Sequence, residues 1–468
     1  VTVLSGCSFI PKFERPPAPV AAQWPGVTTT EATGQKAVAD VPWQNFFSDA
    51  RLQQLITAAL DNNRDLRVAV LSIAQARAQY QITRADQFPT VNAAASGSRV
   101  PNADGGITST YQAGFTVSAW ELDFFGRIAS LKESALAQYL ATEEGRKATQ
   151  ITLISSVANA YLSILADDEL IAITRQTLVT RQDSFKLSQL RFDNGVSSEL
   201  DVRQAQSLTE SARGTLAAQL RQRALDQNLL TLLVGQPATT EASAQPVAAT
   251  SLANSLLMTD LPAGLPSEVL VNRPDIRQAE QLMLANNANI GAARAAFFPR
   301  VSLTAGVGSG SSHLSDLFQS GSYGWTFAPQ ISLPIFDAGR NQANLDATRI
   351  ARDIAQAQYE KAIQTAFREV ADALAGRDTL GEQLRALQAQ ADAESVRFKL
   401  SDLRYRNGVA SYLDLLDAQR SLFTAQQGVV EARLAQLQNQ VALYKTLGGG
   451  WTEPQLASAG APGATRQP

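Results

Sequence analysis

Four short stretches of the chain alternate apolar and polar residues with a period of two, while the long intervals between them repeat apolar residues every seven. From Tyr111 to Trp120, residues Tyr111, Ala113, Phe115, Val117 and Ala119 share one face, and Gln112, Gly114, Thr116 and Ser118 share the other. Val301, Leu303, Ala305 and Val307 alternate with Ser302, Thr304, Gly306 and Gly308. Trp325, Phe327, Ile331 and Leu333 alternate with Thr326, Gln330 and Ser332, and Thr90 to Val100 is a weaker, alanine-rich version. Polar loops at Pro101–Ser109 and Gly310–Ser322 join these strands into two hairpins. A soluble four-stranded sheet would show the same alternation. Two features favour membrane strands: each segment has the length of a tilted spanning strand, and Tyr111, Trp120, Tyr323 and Trp325 lie near segment ends, where interfacial girdles belong. Four strands cannot close a barrel and lipid does not tolerate an open edge, so three copies with twelve strands are expected.

The remaining pattern is helical. Residues 51 to 87 form one helix that Phe88-Pro89 stops, because proline pushes its predecessor out of the α region. A helix from 127 to 194, roughly 100 Å long at 1.5 Å per residue, turns at Gly195 into a shorter one from 196 to 234. The second half repeats this with 266–298, 340–407 and 409–447. No proline interrupts Asn102–Gln236 or Ile335–Glu453. Ile171, Leu178, Phe185 and Phe192 stand seven apart, as do Leu384, Ala391, Phe398 and Tyr405, the spacing of a left-handed coiled coil. In each half the two short helices stack end to end to cover the long one, and six such pairs in a trimer would form a hollow cylinder.

The two halves are copies. Arg191-Phe192-Asp193-Asn194-Gly195-Val196, with Leu200, Asp201 and Gln206, returns 213 residues later as Arg404-Tyr405-Arg406-Asn407-Gly408-Val409, with Leu413, Asp414 and Gln419. Gly126-Arg127 recurs as Gly339-Arg340 at the same offset, whereas Phe88-Pro89 recurs as Phe298-Pro299 at 210, so three residues were gained or lost in between. The period is too long for a solenoid and marks a duplicated half-protein. The expected organisation is an N-terminal segment 1–42, a first repeat 43–235, a link 236–264, a second repeat 265–451 and a flexible tail 452–468. The stretch 8–42 reads as an extended linker.

Composition narrows the function by exclusion. A net charge of -3 with no basic cluster argues against nucleic acid. The one cysteine, Cys7, excludes an internal disulfide and a cysteine metal site. Its setting, Leu4-Ser5-Gly6-Cys7, resembles a bacterial lipobox, which makes Cys7 the expected site of a covalent lipid; Ser8 rather than Asp favours outer-membrane sorting. No run of about 18 apolar residues occurs, the best candidate, Ile151–Ala166, being broken by Ser155, Ser156, Asn159 and Ser163. His313 is the only histidine and no Gly-Lys-Ser/Thr follows the glycines at 306, 308 and 310, so neither a metal centre nor a phosphate loop is expected, and no cofactor beyond the lipid. An enzyme finds no constellation to support it.

Trp120-Glu121-Leu122-Asp123-Phe124-Phe125-Gly126-Arg127, its counterpart Leu333-Pro334-Ile335-Phe336-Asp337-Ala338-Gly339-Arg340, Asn289 to Pro299, and Leu415-Leu416-Asp417-Ala418-Gln419-Arg420-Ser421-Leu422 carry a family likeness. Over about Cys7 to Trp451 the chain resembles the outer-membrane efflux ducts of the TolC and OprM type, in the lipoprotein branch. The resemblance implies a mixed α and β membrane protein: a homotrimeric, 12-stranded β-barrel with four strands per chain, anchored in outer-membrane lipid and continued by a periplasmic α-helical coiled-coil barrel. It implies docking to a periplasmic adaptor protein and an inner-membrane transporter of the resistance-nodulation-division class, and passive export of drugs. The helical tips at Asn194-Gly195 and Asn407-Gly408 become adaptor-docking turns. Leu413, Asp414 and Asp417 become the periplasmic gate, a leucine ring beside six carboxylates in the trimer. A plainer reading has these aspartates only complementing a helix start. Asp201 is expected to bond Tyr405 or Arg404 across neighbouring hairpins as a latch; Ala410 stands where the best-known latch carries arginine, so that contact is absent. Two alternatives stay open: a duct for type I protein secretion, and a lipid-anchored structural coiled coil.

Overall fold

The computed structural model describes residues 8–21, 23, 24, 38, 41–103, 105–236, 252 and 272–451. Cys7, nearly all of the 236–264 link and the 452–468 tail lie outside them. The chain forms two compact units, one built from Val1–Pro19, Val70–Gly145 and Asp275–Ala362, the other from Val20–Ala69, Arg146–Pro274 and Ile363–Pro468.

The first unit holds one four-stranded antiparallel sheet: β1 (Val91–Pro101), β2 (Ile107–Leu122), β3 (Arg300–Ser311) and β4 (Tyr323–Ser332), in that order. The central β2–β3 pair joins the two repeats. Register sorts the residues by face. Ala93, Phe115, Val307 and Trp325 line up across the strands on one side, and Ala94, Gly114, Gly308 and Gly324 on the other. The apolar side is not covered within the protomer: Trp325, Phe327 and Ile331 are exposed. A soluble sheet would bury that face under a second layer, so the arrangement departs from the soluble alternative. β1 and β4 are the sheet's outer strands.

Two details differ from the sequence expectation. The alternation of β2 does not run unbroken to Trp120: a bulge after Val117, with Ala119 at φ 48°, resets the phase, so that Trp120 pairs with Leu303 and Leu122 with Val301. Thr304 Oγ1 accepts the Ala119 N–H at 3.2 Å inside the bulge. The three-residue offset between repeats reflects unequal hairpins, the β3–β4 connection being the longer and folding a 3-10 turn at Leu314–Asp316.

At the base of the sheet the motif residues act as braces. Glu121 accepts two bonds from Arg127, at 2.8 and 2.7 Å, and an ion pair from Arg300 at 2.6 Å. Asp123 accepts the Ala129 N–H at 2.7 Å, and Asp337 those of Gly339 and Asn341, so a carboxylate satisfies orphan donors at each long-helix start. Residues 8–18 form neither helix nor strand and are docked, not a loose linker. Arg15 grips Glu280 through two bonds, Asn287 and Arg294 donate to the Pro11 and Phe9 carbonyls, and Phe9 stacks on Phe298 at 4.6 Å. The helix these residues cross, α6, spans Pro274–Ala295.

The second unit is helical, with α1 (Trp43–Phe46), α2 (Ala50–Asn62), α5 (Glu199–Val234) and α8 (Tyr412–Thr446), together with the larger parts of α4 (Arg127–Asp193) and α7 (Arg340–Arg406). The single helix expected over 51–87 is two: α2 ends at Asn62 and α3 runs Arg64–Ala85. Asn63 makes the break, its Oδ1 accepting the Leu66 N–H at 3.0 Å and its Nδ2 donating to the Leu233 carbonyl at 2.9 Å. The apolar run 151–166 belongs to the core, with Val157, Leu162 and Ile164 fully buried. Although α4 is the one described helix long and apolar enough to cross a bilayer by composition, 67% of that window is buried by protein. Phe46 stacks on Tyr444 at 4.1 Å, and Tyr444 donates to the Val41 carbonyl at 2.6 Å. The seven-residue seam is buried or half-buried from Ile171 to Phe185 and opens to solvent at Phe192.

Candidate functional site

Both helical hairpins end in the same turn. Gly195 has φ 71° and Gly408 φ 74°, values that suit glycine, and nothing lies within 4 Å of where a Cβ would stand; backbone conformation alone selects the residue. Gly195 N–H donates to the Phe192 carbonyl and Val196 N–H to that of Arg191; Gly408 and Val409 do the same to Tyr405 and Arg404. These paired bonds are the Schellman closure of a helix C-terminus. Asn194 and Asn407 each donate through Nδ2, at 2.7 Å, to the carbonyls of Leu190 and Leu403.

The returning helices each start three residues later than expected, at Glu199 and Tyr412, because a serine caps each one. Ser198 Oγ accepts from Asp201 N–H at 3.2 Å while Asp201 Oδ2 accepts from Ser198 N–H at 3.3 Å; Ser411 and Asp414 form the same box at 3.3 and 3.2 Å. Ser197 and Ser411 hydroxyls add bonds to these carboxylates, both at 3.0 Å. Asp201 Oδ2 is therefore committed to its own helix start, leaving Oδ1 as the atom for any bond to Arg404 or Tyr405. Tyr405 points inward: it is buried, stacks obliquely on Tyr412 at 5.5 Å and lies under the Arg191 guanidinium at 4.5 Å. Arg404 is exposed.

Leu413, Asp414 and Asp417 share an exposed face of α8, while Tyr412, Leu415, Leu416 and Gln419 on the opposite face are buried. The buried face packs with Ala205, Leu208 and Tyr405 into one apolar cluster, flanked by Phe185 and Phe398. Burial pushes the Tyr412 phenol up to about 12. Gln419 reaches across to Ser184 Oγ at 3.0 Å, and the buried Arg181 donates to the Leu208 carbonyl at 3.1 Å beneath the Phe423 ring. The apolar cluster thus ties the two hairpins together and presents Leu413 and both aspartates outward.

Four participants were not read from the sequence: Ser198, Ser411, Arg181 and Arg397. The serine caps carried a local signal, Ser-x-x-Asp at 198–201 and 411–414. Arg181 carried none. Nor did Arg397 of α7, which pairs with Asp417 and also bonds Glu394 at 3.1 Å. Asp417 is not a free carboxylate in the protomer. No cluster of metal-ligating side chains occurs among the described residues.

The model of the outer membrane efflux protein family matches residues 55–236 and again 265–449, one match per repeat. The toluene efflux pump outer membrane protein TtgC of Pseudomonas putida is 49% identical over 460 residues, covering 96% of this chain and 94% of its own. Outer membrane protein OprJ of Pseudomonas aeruginosa is 45% identical over 458 residues, with 96% and 94% covered. Among solved structures, the open state of the Neisseria gonorrhoeae MtrE outer membrane channel matches with a TM-score of 0.86 at 40% identity, over 95% of this chain and 99% of that one.

Proposed function

The chain belongs to the outer membrane efflux protein family, and from that premise we propose that it is the outer-membrane duct of a tripartite efflux pump, gated at its helical tips. As a member of that family it is a transport channel and not an enzyme. Two outer strands, β1 and β4, need partners in lipid, and an exposed apolar sheet face suits acyl chains better than water. Three copies supply twelve strands and close the barrel. The repeats at 43–235 and 265–451, joined by 236–264, would then supply six helical hairpins to the trimer. A lipid on Cys7 would anchor the N-terminal segment that docks on α6.

The observation that carries the gate is the shared exposed face of Leu413, Asp414 and Asp417, held outward by the cluster beneath it. In the trimer this face lines the narrow periplasmic end: the leucines obstruct an open path and the carboxylates favour cations. Asp201 Oδ1, facing Arg404 or Tyr405 of a neighbouring hairpin, is the remaining latch. The tip turns at Asn194-Gly195 and Asn407-Gly408 meet a periplasmic adaptor, which couples the duct to an inner-membrane transporter of the resistance-nodulation-division class. The Pseudomonas putida relative serves a toluene efflux pump, and we assign apolar solvents and drugs as the cargo here on that basis.

Single-channel recording of purified protein in planar bilayers tests this reading. Wild type should give a small, cation-selective conductance that rises several-fold in the Leu413→Ala, Asp414→Ala, Asp417→Ala triple variant. No conductance from either protein would return the chain to a structural coiled coil. Equal, large conductances would keep the duct and move its gate elsewhere.

A further inference from the structure

The second-repeat tip carries a charge pair that the first lacks. Asp417 and Arg397 fall, at the 213-residue offset, on Gln204 and Ser184. Both charges are thus present in one repeat and both absent in the other, as expected if each exists because of its partner. In the structure they are bonded, from α7 to α8. Arg397 Nη1 also donates to both Glu394 oxygens, at 3.1 and 3.4 Å, and to Ser421 Oγ at 3.4 Å. Its side chain is 43% exposed and that of Asp417 61%.

An ion pair so open to solvent contributes little to folding. Its effect on a passing ion is larger, because fixed charges around a narrow aqueous path set the local potential. Of the two aspartates on the gate face, Asp414 is bonded, among the described residues, to neutral groups, the Ser411 backbone and hydroxyl. Asp417 faces the Arg397 guanidinium, which it shares with Glu394, so its field is partly offset. We propose that Arg397 is a selectivity residue of the duct: it holds Asp417 and Glu394 in ion pairs, so that Asp414 sets the cation preference of the constriction and Arg397 limits it. This inference rests on the gate assignment above.

The test is the reversal potential of the full-length protein in planar bilayers under a tenfold KCl gradient. Arg397→Gln adds one uncompensated negative charge per protomer, three per ring, and should raise the potassium-to-chloride permeability ratio about two- to threefold. Asp417→Asn removes one negative charge per protomer, leaving Arg397 to Glu394 alone, and should lower the ratio. The double variant Arg397→Gln, Asp417→Asn should return close to wild type, as should Arg397→Lys, which separates charge from folding. Asp414→Asn reports on the gate independently by lowering the ratio. If Asp414→Asn shifts the reversal potential while Arg397→Gln and Asp417→Asn leave it at the wild-type value, Arg397 does not act on the ion path and the proposal fails alone. If Asp414→Asn also changes nothing, the gate assignment fails with it.

Discussion

Gly114 and Gly308 face each other across the β2–β3 pair so closely that neither position has room for a side chain. A Cβ on Gly114 would stand 2.3 Å from the Val307 carbonyl oxygen and 2.6 Å from Gly308 Cα; one on Gly308 would stand 2.4 Å from the Ala113 carbonyl oxygen. Since the obstacle is backbone, only a shift of the two strands would relieve it. Gly114→Ala should therefore destabilise the sheet by about 1–3 kcal/mol, the range for overpacking. Gly97 is the control: its obstacle is the Tyr111 ring at 3.0 Å, which can turn aside, so Gly97→Ala should cost less. Thermal melts of the two variants would compare them, and equal midpoints would refute the argument.

At the tips, Ser411→Ala removes the acceptor for the Asp414 N–H and a donor to its carboxylate. A lost cap costs about 1 kcal/mol. The consequence should be local: faster amide exchange over residues 412–415 with β-sheet amides unchanged. Ser198→Ala should produce the same exchange pattern at residues 199–202.

Gly235 closes α5 at φ 72°, and a Cβ there would meet the Asn62 carbonyl oxygen at 2.5 Å. Gly235→Ala carries both a left-handed backbone and a backbone clash, which together should cost about 2–3 kcal/mol. The damage should concentrate at the α2–α3 break, where Asn63 bonds the Leu233 carbonyl. Proteolysis between residues 62 and 66 is the readout; unchanged resistance there would show that the α5 terminus does not support that break.

The parts of this fold that were readable in the sequence are those in which a residue's neighbours lie close in the chain or repeat elsewhere in it. Strand alternation at Tyr111–Val117 needs only period two, and both tips were located because Asn-Gly recurs with the same flanks. The bulge at Ala119 was not readable: a positive φ at alanine is imposed by pairing with β3 and leaves no compositional mark. The break at Asn63 was hidden for the same reason, since asparagine inside an amphipathic run signals a cap only when its side chain finds a distant carbonyl. That Asp414 and Asp417 share a helical face followed from their three-residue spacing, whereas Leu413 was named from the family likeness. Arg397, twenty residues from Asp417 and on another helix, required the packing of α7 on α8.

A buried acid pair predicts how stability follows pH. Asp167 of α4 is buried, and its carboxyl lies within hydrogen-bond reach of Asp226 on α5; burial first, then Asp226 and the adjacent Asp168, push it up to about 7. Arg223 relieves this only in part, because its hydrogen bonds go to Asp168 at 2.5 and 3.2 Å, and Asp226 takes a further bond from Gln222. The ordinary carboxylate value is 3.8, so between there and about 7 the native state binds a proton that the unfolded chain has released. The resulting stabilisation is fully present below about 4 and is lost as pH rises through 7. Asp167→Asn mimics the protonated form at every pH. It should match wild type near pH 4 and exceed it at pH 8, by on the order of 1–2 kcal/mol per protomer. Thermal melts of both proteins from pH 4 to pH 9 give the difference directly. A variant less stable than wild type at pH 8 would mean that the ionised Asp167 is itself held by a favourable partner, reversing the assignment of the shared proton.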